Sequence, residues 1–182
     1  MAAVAFIYSC RVVEAAATVE SHKMSLLESG VVEALDYGCA NEFNPWAGSS
    51  VASQSARAAI ALVGKNEGGK TLGRGAVHAV LDELRSYFDP SSYRSTISLE
   101  KAARSARCAA TMAVADANKK VMLQHDTLLD TLVTGLIIDD DNPRRGQDGA
   151  DAMQETCAGV LHELALYGRG AAVLRSPTPT MD

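Results

Sequence analysis

Apolar residues along most of this chain recur at i, i+3 and i+4 instead of alternating, a period that predicts helices. Turn formers interrupt the pattern at Asn41 to Ser49, at Asp89-Pro90-Ser91-Ser92 and from Asp139 to Gly149, and Ser176 to Thr180 reads as a frayed tail. Helices therefore fall into three blocks with a fourth beginning. Two short apolar runs, Ala58 to Val63 and Leu136 to Ile138, are the strand-like stretches.

The blocks repeat. Laid without gaps, Ser55 to Lys70 matches Ser105 to Lys120 at Ser, Ala, Arg, a further Ala and the closing Lys, with Leu62 over Met112. His22 to Gly38 lies on Lys119 to Gly135 in the same way, with Val31 and Val32 over Leu128 and Leu129, Glu33 over Asp130, and Gly over Gly. Thr156-Cys157-Ala158 overlies Arg107-Cys108-Ala109 as a fourth start. The period is about 50 residues, slightly above the usual range for helical arrays. Each unit opens with an Ala-rich helix, passes a polar break, and closes with a helix apolar at i, i+1 and i+4. Those closing stripes are Val31, Val32 and Leu35; Ala76, Val77 and Val80; and Leu128, Leu129 and Leu132. Small side chains allow close helix approach, and a two-row stripe is what stacking of neighbouring units requires.

A helix of the form A-x-x-x-L, a break carrying Asn or Lys, and then G-V-V-x-x-L resembles the armadillo (ARM/HEAT-type) repeat family over almost the whole chain. The resemblance implies an all-α fold: a right-handed armadillo-like α-solenoid of about three units over 1–174. The units fall roughly at 1–48, 49–97 and 98–146, a partial one follows at 147–174, and 175–182 is a flexible tail. It also implies a protein-binding scaffold or adaptor, not an enzyme, with the third helices lining a groove. By the overlay, Glu33, His78 and Asp130 share one outward register there, and Tyr37, Asp82 and Thr134 follow one turn later. Nuclear-import members of the family hold basic peptides with Trp and Asn ladders; the single tryptophan here, Trp46, reads as a loop residue, which argues against that role. An acidic, mixed groove still suits a segment bearing Lys or Arg.

An apolar content of 47% is ample for a continuous core. The net charge of −5, with both signs interspersed and no basic stripe, argues against nucleic acid as a partner. Cys10, Cys39, Cys108 and Cys157 lie far apart without a CxxC pair, reading as small apolar residues in a reducing compartment; no metal or cofactor is expected. No run reaches the ~18 apolar residues that span a bilayer, and MAAVAFIYSC lacks a basic leader region, so a cytoplasmic location is the expectation. The first helix, Ala2 to Val13, is apolar on several sides through Phe6, Ile7, Val12 and Val13. Terminal units of an array need a polar outer face. The expectation is therefore a fragment truncated at both ends, or a first helix packed on further repeats or another subunit.

One motif competes. Gly64 to Thr71 matches G-x-x-x-x-G-K-[ST], the phosphate-cradling loop of P-loop NTPases, and follows the run Ala58 to Val63. In that alternative Lys70 reaches the phosphates, Thr71 holds Mg²⁺, and Asp139, closing Leu136 to Asp140, supports the metal. Gly73 and Gly75 delay the helix that such a loop must open into, and two strand candidates make no covered parallel sheet. The acidic run Asp139 to Asn142 lacks the EF-hand's Gly and Glu, having Arg144 and Asp151 at those places. His22, His78, His125 and His162 read as scattered, with His162 partly buried on its helix, and no nucleophile motif surrounds any Ser or Cys.

Overall fold

The computed structural model describes residues 2–40, 48–66, 69–88, 99–137 and 150–167. Its described residues are helical, without strands. The helices are α1 (Ala2–Ala16), α2 (Glu20–Glu28), α3 (Val31–Ala40), α4 (Gly48–Val63), α5 (Arg74–Ser86), α6 (Leu99–Met112), α7 (Asp116–Met122), α8 (Leu128–Leu136) and α9 (Ala150–Leu166).

The strand-like run Ala58 to Val63 is thus the last part of α4, and Leu136 closes α8. Helix α4 also begins at Gly48, inside the stretch expected to be a loop. The expected loops at 89–92 and 139–149, Trp46, Asp139 to Asn142 and the tail from 175 lie outside the described residues.

Packing follows the sequence order of like helices. Helix α1 packs on α4, α4 on α6 and α6 on α9, while α3 packs on α5 and α5 on α8. A single apolar cluster runs from Cys10 to Leu164. Alanines Ala56, Ala58 and Ala59 let α4 sit buried among its neighbours. Helix α5 is amphipathic instead: Ala76, Val77, Val80, Leu81 and Leu84 are buried at i, i+1, i+4, i+5 and i+8.

The overlay of α4 on α6 holds in burial: Ser55 and Ser105, Ala56 and Ala106, Ala59 and Ala109, Leu62 and Met112, and Val63 and Ala113 are all buried. For α3 and α8 the match extends to close approach. A Cβ on Gly38 would stand 2.6 Å from Ser55 Oγ on α4, and one on Gly135 would stand 2.7 Å from Cys157 Sγ on α9. Neither position has room for a side chain. In α5 the equivalent position carries Glu83, whose carboxylate accepts from Ser105 Oγ on α6 at 2.9 Å and pairs with Arg57 Nη1 on α4 at 3.2 Å.

The first helix is apolar beyond its core contacts. Phe6 and Val13 pack on the core, whereas Val4, Tyr8 and Val12 point outward as an exposed stripe at i, i+4 and i+8. His162, expected to be partly buried, is exposed on α9. No described helix is long and apolar enough to cross a membrane.

Candidate partner-binding face

Helices α3, α5 and α8 lie side by side, so the six residues predicted to line a groove fall on three adjacent helices. Glu33, Tyr37, Asp82, Asp130 and Thr134 are exposed, and His78 is half-buried. Their surroundings differ. Glu33 accepts from Lys70 Nζ at 3.0 Å, tying α3 to the segment before α5. Tyr37 lies one turn further along α3 with 62% of its surface exposed. Asp130 and Thr134 sit on α8, where the Thr134 hydroxyl donates back to the Asp130 carbonyl at 2.7 Å, a bond that leaves the Asp130 carboxylate uninvolved.

His78 and Asp82 meet a residue that the sequence reading set aside as scattered. The His125 ring lies edge-on to His78 at 4.7 Å between centroids, and its Nε2 is 3.4 Å from Asp82 Oδ1. Its Nδ1 faces the Thr127 hydroxyl at 3.4 Å. Beside this group Arg74 donates to the Gln124 side-chain oxygen at 3.0 Å, so the α7–α8 turn is clamped to α5 twice. Burial holds the His78 imidazole below its ordinary value, and the neighbouring His125 acts the same way; Asp82 and Asp126 oppose them. Its Nε2 is buried without a hydrogen-bond partner.

Asp36 is the second perturbed group here. Burial pushes its carboxyl above the ordinary value; the Gly73 backbone N–H pulls it down, and Glu33 adds to the rise. Its Oδ1 is buried without a hydrogen-bond partner. Neither His125 nor Asp36 stands out in the sequence, because each acquires its neighbours, His78 and Asp82 or the Gly73 N–H, from a segment distant in the chain.

The segment Gly64 to Thr71 is occupied by structural contacts. It follows a helix, not a strand, and the buried Asn118 of α7 spans it: Nδ2 donates to the Gly64 carbonyl at 2.8 Å, and Oδ1 accepts from the Leu72 N–H at 3.4 Å. Lys70 is engaged with Glu33, and Asn66 takes a left-handed φ of 63°, a conformation that Asn tolerates well. Of the companion segment, Leu136 ends α8, Ile137 follows it, and 138–140 lie outside the described residues.

The four thiols are free, with Cys10 and Cys157 buried and Cys39 and Cys108 half-buried. Burial pushes Cys39 and Cys108 up to about 12 and Cys157 to about 11, so they stay protonated at neutral pH. Among the described residues no group of three His, Cys, Asp or Glu is placed to hold a metal. Comparison of the chain with family models, with curated proteins and with solved structures gives no match.

Proposed function

We propose that this chain is an interaction module, an armadillo-like right-handed solenoid of about three helical units that holds a Lys- or Arg-bearing protein segment against α3, α5 and α8. The observation that carries the binding role is that three carboxylates, Glu33, Asp82 and Asp130, are exposed on three adjacent helices, with exposed Tyr37 one turn from Glu33 on α3. Carboxylates spaced helix by helix suit successive basic side chains of an extended peptide, and an exposed tyrosine offers a face for their stems.

Support for the repeat comes from one position met three times. Gly38, Glu83 and Gly135 occupy the same place in α3, α5 and α8, and each faces the first helix of the following block, at Ser55, Ser105 and Cys157. Repetition of a packing contact, and not of composition alone, is what stacked units produce. A cytoplasmic, reducing setting suits the free thiols.

The test is binding of a fluorescein-labelled Lys/Arg-rich peptide, followed by anisotropy in low salt. Replacing Glu33, Asp82 and Asp130 together with Ala is expected to weaken binding at least tenfold and to flatten its salt dependence. Binding that is absent in the wild type, or unchanged in the triple variant, rejects the reading.

A further inference from the structure

We propose that protons regulate the α3–α5–α8 face through His125: an imidazolium there ties up the Asp82 carboxylate and releases a bound Lys- or Arg-bearing segment. This control rests on the reading of that face as a site for basic segments. The Asp82 side chain is 64% exposed, whereas the His125 side chain beside it is 8% exposed. The ring therefore stands behind a carboxylate that a partner can reach.

Both nitrogens of His125 already face atoms able to accept a hydrogen bond. Nε2 lies 3.4 Å from Asp82 Oδ1, and Nδ1 lies 3.4 Å from the Thr127 hydroxyl. An imidazolium donates from both nitrogens, so the second proton enters without any turn of the ring. The charge it brings lies against Asp82 and offsets the attraction that an incoming ammonium or guanidinium feels there.

His78 decides which ring takes the proton. The two rings meet edge-on with centroids 4.7 Å apart, close enough that charging both is costly. Burial and the neighbouring His125 hold His78 below its ordinary value, and its Nε2 is buried with no hydrogen-bond partner, so His78 is the ring that stays neutral. Asp82 and Asp126 act on His78 in the opposite sense, and Arg74, which donates to Gln124, acts with His125. On the helices packed against α5, Glu33 of α3 pairs with Lys70 and Asp36 lies at the Gly73 N–H; Arg57 of α4 pairs with Glu83, and Lys119 of α7 with Asp116 and Glu163. Arg104 and Arg107 of α6 line the cleft beside Glu14, and Asp130 is the charged residue of α8. Histidine is the side chain whose ordinary titration falls between about pH 5 and 8, a range in which an ordinary carboxylate is ionised, so the switch sits on the ring and not on the acids that hold the segment.

Isothermal titration of the full chain with an acetylated, amidated Lys/Arg-rich peptide without histidine tests the proposal, because only the protein then titrates. Affinity of the wild type is expected to fall about threefold or more between pH 7.5 and pH 5.5. In His125→Gln, which keeps a donor toward Asp82 without the charge, that fall should shrink to less than about half. Asp82→Asn, which keeps the ring and removes the carboxylate it would hold, should shrink it as well. At pH 6.5 peptide binding to the wild type should release protons, read as an observed enthalpy that depends on the ionisation enthalpy of the buffer; a merely structural role for His125 would not produce that release. Binding that is equally strong at both pH values, a pH-dependent fall that persists in full in His125→Gln or Asp82→Asn, or binding without proton release overturns the proton control and leaves the groove reading standing. Absence of wild-type binding at pH 7.5 overturns both.

Discussion

Asn118 shows how one side chain can hold a connection that has little regular structure of its own. Its amide satisfies a carbonyl at the end of α4 and an N–H just before α5, from a position on α7 that is fully buried. Asn118→Leu leaves both backbone groups buried and unpaired, so a loss of about 1–3 kcal/mol per group is expected in urea denaturation. The perturbed carboxyl and imidazole predict a pH dependence of opposite signs. The folded value of His78 lies below its ordinary 6.5, so its contribution is present above that value and is lost as pH falls through the folded one. Melting temperature should therefore drop on acidification below pH 6.5, and His78→Gln should flatten that slope even with Asp82, Asp126, Arg74 and His125 around it. Asp36 is raised above 3.8, so its contribution is present below that value and is lost as pH rises through the folded one. Asp36→Asn, which keeps an acceptor for the Gly73 N–H, should raise the melting temperature at pH 7.

At the scale of helices, the positions Gly38, Glu83 and Gly135 decide how closely α3, α5 and α8 meet α4, α6 and α9. Gly38→Ala adds a methyl that would stand 2.6 Å from Ser55 Oγ and 2.8 Å from the Phe6 ring. Overpacking of about 1–3 kcal/mol should outweigh the roughly 1 kcal/mol gained in helix propensity, a net loss measurable by denaturant titration. Glu83 works differently, bridging α4 and α6 through a pair in which Arg57 is 6% exposed and the carboxylate 17%. Glu83→Ala strands a buried cation and is expected to cost about 3–5 kcal/mol, whereas Arg57→Met added to it should recover most of that loss. The same contrast explains a mismatch in the overlay, which sets Arg57 on Arg107. Arg57 is buried against Glu83, but the corresponding place in α8 is Gly135, so Arg107 has no acid to follow inward and remains exposed.

Across the whole molecule, the helical period and the order of the elements were legible in the residues, because amphipathic periodicity is local: a stripe such as Ala76, Val77 and Val80 needs only its own helix to be recognised. The stripes at Leu35 and Leu132, and the gapless match of α4 with α6, likewise lie in the linear text and are buried as that text implies. The strand-like reading of Ala58 to Val63 fell to context, since an apolar run has no period of its own and is decided by what surrounds it; here five neighbouring helices surround it. Encounters between units were not legible. His78 with His125 and Asn118 with Gly64 are separated by dozens of residues and meet only because their helices pack together. Interspersed signs along the chain look neutralised locally, yet folding pairs charges far apart in sequence, as with Lys70 and Glu33 or Arg57 and Glu83. By itself the sequence determined that the chain is helical and which side of a periodic helix such as α5 is apolar, because that is settled by neighbours three and four positions away. Only the tertiary structure decided which charges share a surface, because that depends on how neighbouring helices are rotated and offset, which close contacts at positions such as Gly38, Glu83 and Gly135 set.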